Sequence, residues 1–198
     1  VPVSIAFDRI AEIDDYVALQ SGRPKRKESL SWFFNYIFGM RQPYGKVYVR
    51  YGNPVELEQP TDHPQETPAQ DTEPSFDVTR MAFEVCTRIE QITPIKSADV
   101  LTMVLLGANR RALTAMEMYR QSAGIAELIR DRKLPAASGF SLNSEAQVSA
   151  AVIALERSGL VKVFDKAQVP VFYIPEGQRL AAAYYRNTLT HYFLHAAL

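Results

Sequence analysis

The sequence predicts an α/β segment followed by a mainly helical C-terminal region that carries a β-hairpin and is winged-helix-like in element order. Three observations predict it. Residues 1–7 and 46–51 place apolar and β-branched side chains at strand spacing. From residue 78 onward apolar residues recur at three- and four-residue intervals, punctuated by cap and turn residues. Between these regions, residues 58–77 hold Pro60, Pro64, Pro68 and Pro74, six acidic side chains and no Lys or Arg. Such a stretch cannot bury enough apolar area to offset chain entropy and reads as a loop or linker. The expected domains are therefore 1–57, a linker over 58–77, and a helical domain over 78–198.

Each element follows in order. Val1 to Phe7 is apolar and β-branched and reads as a buried strand. No Met, basic leader, cap or polar tail precedes it, so the expectation is a downstream part of a longer polypeptide. Glu12 to Gln20 suits a short helix. Ser29 to Met40 carries no charge and contains Trp32, Phe33, Phe34, Tyr36 and Phe38. A helix there is apolar nearly all round, which implies burial between layers or contact with lipid. Arg23, Lys25, Arg26 and Lys27 stand just upstream, in the pattern of an interfacial anchor on an anionic membrane surface. A core helix preceded by a solvated charge run is the alternative. Lys46 to Tyr51 alternates at period two and ends in Gly52-Asn53-Pro54.

Past the linker, Met81, Val85, Ile89 and Ile92 mark one face of a helix over Val78 to Gln91. A second helix spans Ser97 to Gly107, with Ser97 as its cap and Val100 to Ala108 as a core run. Thr114-Ala115-Met116-Glu117 matches a capping box and starts a third helix, ending near Arg132. Asn143 or Ser144 caps a fourth helix to Arg157, closed by Gly159. Leu160 to Phe164 and Val169 to Ile174 pair as a hairpin, and a last helix runs from Gly177 to the end.

Composition narrows the function. With 22 basic and 22 acidic side chains the net charge is zero, unlike a protein that is basic over its whole surface. Residues 110–176 hold nine basic and seven acidic residues, a net of +2, and the recognition-helix position Ser144 to Arg157 has a single Arg. Nucleic-acid binding is therefore not expected, although a non-enzymatic interaction module remains the alternative function. The single Cys86 excludes an internal disulfide. No stretch reaches the roughly 20 apolar residues that span a bilayer. No Gly-x-Ser-x-Gly elbow and no phosphate-cradling Gly-rich loop occur, and no cofactor is expected. His191 and His195 share a helix face at four-residue spacing but lack a third ligand, so hydrogen bonding into a neighbouring layer is expected of them rather than a metal.

Val1-Pro2-Val3 followed by Phe7-Asp8-Arg9 resembles the fourth conserved block of glycerol-3-phosphate acyltransferases of the bacterial PlsB and mitochondrial type. Pro24-Lys25-Arg26-Lys27-Glu28-Ser29-Leu30, Tyr44-Gly45 with the following strand and Gly52-x-Pro54, and Ala183-Tyr184-Tyr185-Arg186-Asn187 with His191 are similar to later parts of that family, in the same order.

The resemblance implies that residues 1–57 end an acyltransferase αβ domain. It also implies an enzyme moving an acyl chain from acyl-CoA or acyl-carrier protein to the sn-1 hydroxyl of glycerol 3-phosphate. In that family a His acts as general base and an Asp five positions later orients it. Five positions after His63 stands Pro68, and five after His191 stands Ala196, so this chain lacks that motif and is expected inactive alone. Its partners would be an upstream catalytic segment, both substrates and a membrane surface, with peripheral attachment at the cytoplasmic face. Candidate substrate-binding residues are Pro2, Arg9, Lys25 and Lys27, and candidate membrane contacts are Trp32, Phe33 and Phe34. Arg9 suits either the substrate phosphate or a salt bridge to Asp8, Glu12 or another acid. Arg186, beside two Tyr, is expected to be a structural hydrogen-bond hub.

Overall fold

The computed structural model describes residues 1–10, 13, 17, 20, 22, 45–55, 78–166 and 168–194. Most of the helix expected over Glu12 to Gln20, the Ser29 to Met40 helix, the basic run Arg23 to Lys27, the 58–77 linker, His63 and His195 lie outside the described residues.

The two period-two segments form an antiparallel pair. β1 (Val3–Phe7) lies against β2 (Val47–Tyr51), with Val3 opposite Tyr51, Ile5 opposite Val49 and Phe7 opposite Val47. Alternation puts those six side chains on one face. The structure corrects the expectation of a buried apolar strand. That face is exposed, Ile5 at 58%, while Pro2 and Ser4 on the opposite face are buried. Gly52 donates its N–H to the Pro2 carbonyl at 2.9 Å, extending the ladder by one step.

The buried face of this pair meets the helical region. α1 (Val78–Ile92) half-buries the expected face of Met81, Val85, Ile89 and Ile92. At its end the Thr93 hydroxyl donates to the Ile89 carbonyl at 2.8 Å and shares a 3.0 Å hydrogen bond with the Ser4 hydroxyl. Arg50 of β2 donates to the Ala136 carbonyl, tying the sheet to the 134–142 loop.

α2 (Ser97–Gly107) is apolar on all sides because it is surrounded, with Val100, Leu101, Val104 and Leu105 buried. Its cap is Lys96 rather than Ser97: Lys96 has extended backbone, and the Asp99 carboxylate reaches back to its N–H. The Ser97 hydroxyl is taken up by the Ser141 N–H at 3.0 Å. β3 (Leu113–Thr114), too short to carry a period, leads into α3 (Ala115–Asp131). Thr114 and Glu117 form the expected capping box, with the Thr114 hydroxyl accepting the Glu117 N–H at 3.1 Å and Glu117 accepting the Thr114 N–H at 2.8 Å.

α4 (Glu145–Arg157) is capped by Ser144. Gly159, at φ +83°, reverses the chain after it, as a left-handed residue at a helix end requires. β4 (Lys162–Phe164) and β5 (Val171–Tyr173) form the expected hairpin, and β3 adds to the far side of β5, giving the order β3-β5-β4. A single 3₁₀ turn (Glu176–Gln178) opens α5 (Arg179–Leu194). Ala181, Ala182, Tyr185 and Leu189 of α5 pack into the common core with α2, Leu113, Met118, Val148, Val152 and Phe172. Ile13 and Val17 are packed against the same core. No helix among the described residues is long and apolar enough to cross a membrane.

Candidate functional site

The site begins where β1 runs out of strand partners among the described residues. The last ladder bonds are made by Asp8, whose N–H donates to the Lys46 carbonyl at 3.0 Å and whose carboxylate accepts the Lys46 N–H at 2.9 Å. Gly45 makes this closure possible. It sits at φ +80°, and a Cβ there would lie 2.6 Å from the Asp8 Cβ, so only glycine fits.

Two side chains from the helical region hold the chain on either side of Asp8-Arg9. Lys96 sends its ammonium to the Phe7 carbonyl at 2.6 Å, and the Tyr185 hydroxyl accepts the Ile10 N–H at 3.2 Å. Both side chains are buried, and the Lys96 ammonium stands 5.5 Å from the centre of the Tyr185 ring, within cation–π range. It also lies 3.3 Å from Oδ1 of Asp99, an ion pair whose geometry falls short of a hydrogen bond at that oxygen. Burial pushes the Asp99 carboxyl up to about 6, against the opposing pull of Lys96.

Arg9 thereby borders a cavity of about 690 Å³, within the usual range for small-molecule sites. Arg9, Lys46, Lys96 and Tyr48 line the side nearest β1 and α2, and Phe140, Gln147, Ala151 and Arg157 line the side formed by the 134–142 loop and α4. Among the described residues its charged lining groups are four cations, Arg9, Lys46, Lys96 and Arg157, and one carboxylate, Asp8. Burial, then the neighbouring Asp8 carboxylate, pushes the Tyr48 hydroxyl up to about 12, so it stays a neutral donor at neutral pH. A concave site with excess positive charge and apolar walls suits a small anion attached to a less polar body. The described lining offers no nucleophile paired with a base.

Of the residues expected from the sequence to bind substrate, Arg9 lines this cavity. Pro2 does not; it sits at the other end of β1, buried. Lys25, Lys27, Trp32, Phe33 and Phe34 lie outside the described residues. Arg186 is not the hub expected: among the described residues its guanidinium bonds the adjacent Asn187 side chain, at 2.9 and 3.1 Å, in an exposed position on α5. The hub is its neighbour Tyr185. His191 bonds the Glu90 carbonyl at 3.0 Å, and the Tyr192 hydroxyl donates to the carbonyls of Glu90 and Thr93, so this end of α5 is fastened to the end of α1. No three His, Cys, Asp or Glu side chains converge among the described residues.

Sequence reasoning missed Lys46, Lys96 and Arg157 at the cavity. Lys96 carried a faint signal, standing alone as a cation between Pro94-Ile95 and the apolar α2 run.

The comparisons with known proteins agree with the quoted motifs. A family described as glycerol-3-phosphate acyltransferase C-terminal region matches residues 16–198. The chain is 29% identical over 198 residues to a putative acyltransferase, plsB1, of Mycobacterium bovis and, to the same extent, of Mycobacterium tuberculosis; the match covers all of this chain and 31% of those proteins. It is 26% identical over 206 residues to a glycerol-3-phosphate acyltransferase of Pseudomonas aeruginosa, covering all of this chain and 24% of that protein. The chain thus spans a third or less of the length of these relatives, and it belongs to the glycerol-3-phosphate acyltransferase C-terminal region family.

Proposed function

We propose that this chain is the C-terminal part of an enzyme that moves a fatty acyl group from acyl-CoA or acyl-carrier protein to the sn-1 hydroxyl of glycerol 3-phosphate, giving lysophosphatidic acid. The general base is supplied by another part of the complete protein, because no His here is followed by an Asp at the fifth position. This chain supplies the anion-holding side. The observation that carries the reading is Arg9, placed directly after β1, held on both flanks and bordering a cavity rich in cations. A guanidinium there would hold the substrate phosphate by charge-assisted hydrogen bonds. The exposed face of Val3, Ile5, Phe7, Val47, Val49 and Tyr51 supports the same reading, since a two-stranded sheet with one bare face needs a covering partner. The catalytic remainder of the enzyme would be that partner.

In the complete enzyme, Arg9→Ala should raise KM for glycerol 3-phosphate about tenfold or more, the worth of one hydrogen bond to a charged group. An unchanged KM and turnover would reject the contact.

The β3-β5-β4 order, with α3 and α4 between β3 and β4 in sequence, supports reading residues 113–175 as winged-helix-like in element order. The helix in the recognition position, α4, lines the cavity, which favours a scaffolding role over groove binding. Peripheral membrane attachment at the cytoplasmic face, through Trp32, Phe33 and Phe34 beside Lys25 and Lys27, completes the proposal. Changing those three aromatics to Ser should lower co-flotation of the enzyme with anionic vesicles; undiminished flotation would refute the contact.

A further inference from the structure

We infer that Lys96 and Tyr185 are positioning residues for Arg9, making the helical C-terminal region a working part of the substrate site. The inference rests on the reading of Arg9 as the phosphate contact.

Phe7 pairs with Val47 at a non-hydrogen-bonded position, so its carbonyl faces the β1 edge away from β2, and the Ile10 N–H lies past the Asp8–Lys46 bonds, the last ladder bonds among the described residues; both groups need other partners. Both come from the helical region. Lys96 stands at the N-terminal boundary of α2, 89 residues from Phe7, and Tyr185 lies in the middle of α5, 175 residues from Ile10. The two bonds bracket the dipeptide Asp8-Arg9, and Asp8 is already fixed by Lys46. Asp8 and Arg9 both line the cavity, and Arg9 is the cation of the two, the one suited to an anion. The clamps are also joined to each other, through the Lys96 ammonium over the Tyr185 ring, so they act as one device. Both side chains are buried, at 5% exposure each, so solvent does not compete for these bonds. A group held this way meets its ligand without a reorganisation cost, and loosening it weakens binding of that ligand alone.

The test is steady-state kinetics of the complete enzyme. Tyr185→Phe removes one oxygen and keeps the buried ring. It should raise KM for glycerol 3-phosphate about three- to tenfold, the range for loss of one ordinary hydrogen bond. It should leave kcat and KM for the acyl donor near wild type, while the melting temperature falls by a few degrees as the bond is lost. Added to Arg9→Ala it should cost nothing more, because the residue being positioned is already gone. Lys96→Met combined with Asp99→Asn, which leaves no buried charge unpaired, should shift the same parameter. Amide exchange at Ile10 should accelerate in Tyr185→Phe.

An unchanged KM for glycerol 3-phosphate in Tyr185→Phe, or an effect that persists in full beside Arg9→Ala, overturns the positioning role. In that case a raised KM in Arg9→Ala alone would leave the substrate reading standing. A silent Arg9→Ala rejects the substrate reading, and the positioning role with it, even if exchange at Ile10 accelerates.

Discussion

Asp99 carries a carboxyl group that the fold has taken almost fully out of water beside Lys96. Its proton is held more tightly in the folded protein, at about 6, than in the unfolded chain, near the ordinary 3.8. The folded state therefore binds the extra proton between those two values. Stability attributable to this group is fully present below about pH 4, falls as pH rises through about 6, and is constant above. Two units correspond to about 3 kcal/mol. Asp99→Asn should lack that decline: urea-unfolding free energies measured from pH 4 to 7 should show a shallower slope than wild type, whatever its absolute stability. Equal slopes would mean that Asp99 does not titrate in this window. At this scale the sequence pointed to Arg9 from its place just past a strand in a quoted motif, and the structure puts it at the cavity, two residues beyond β1. The contacts of Lys96 and Tyr185 with this turn were opaque for a physical reason. Their partners are backbone groups 89 and 175 residues away, and no local spacing encodes such a pairing.

Among the elements, those with strong local signals were legible. Thr114 and Glu117 announced the start of α3 and bond as their spacing requires. The hydrogen bonds from Thr114 hold the Glu117 carboxyl below its usual value, as expected of a carboxylate in a working cap. Thr114→Ala should destabilise the protein by about 1 kcal/mol, read as a lower urea midpoint at unchanged cooperativity. A midpoint equal to wild type would mean that Glu117 and solvent serve the helix end alone. The start of α2 shows the opposite case. Ser97 is the better cap by residue type, but tertiary packing sends its hydroxyl to Ser141, and the boundary falls one residue earlier at Lys96. β3 stayed invisible because two residues carry no period; it exists through pairing with Phe172 and Val171.

At the scale of the whole molecule, the two strands and the helices were legible from periodicity, and the face each presents was not. Apolar alternation in β1 says which side chains point the same way. It does not say which side this chain covers. The covered side proved to be that of Pro2 and Ser4, and the apolar side stayed open. Likewise, charge summed to zero over 198 residues concealed a cavity whose lining is strongly cationic, because its cations come from four separate stretches of chain. Those long separations also bear on time. A bond joining residues 10 and 185 closes a very large loop, and contacts of that kind are slow to find during folding. A ribosome delivers Tyr185 long after Arg9, so a nascent chain halted before α5 holds Arg9 without its second clamp. The turn that carries Arg9 is therefore held on both flanks only after α5 has been made and has packed.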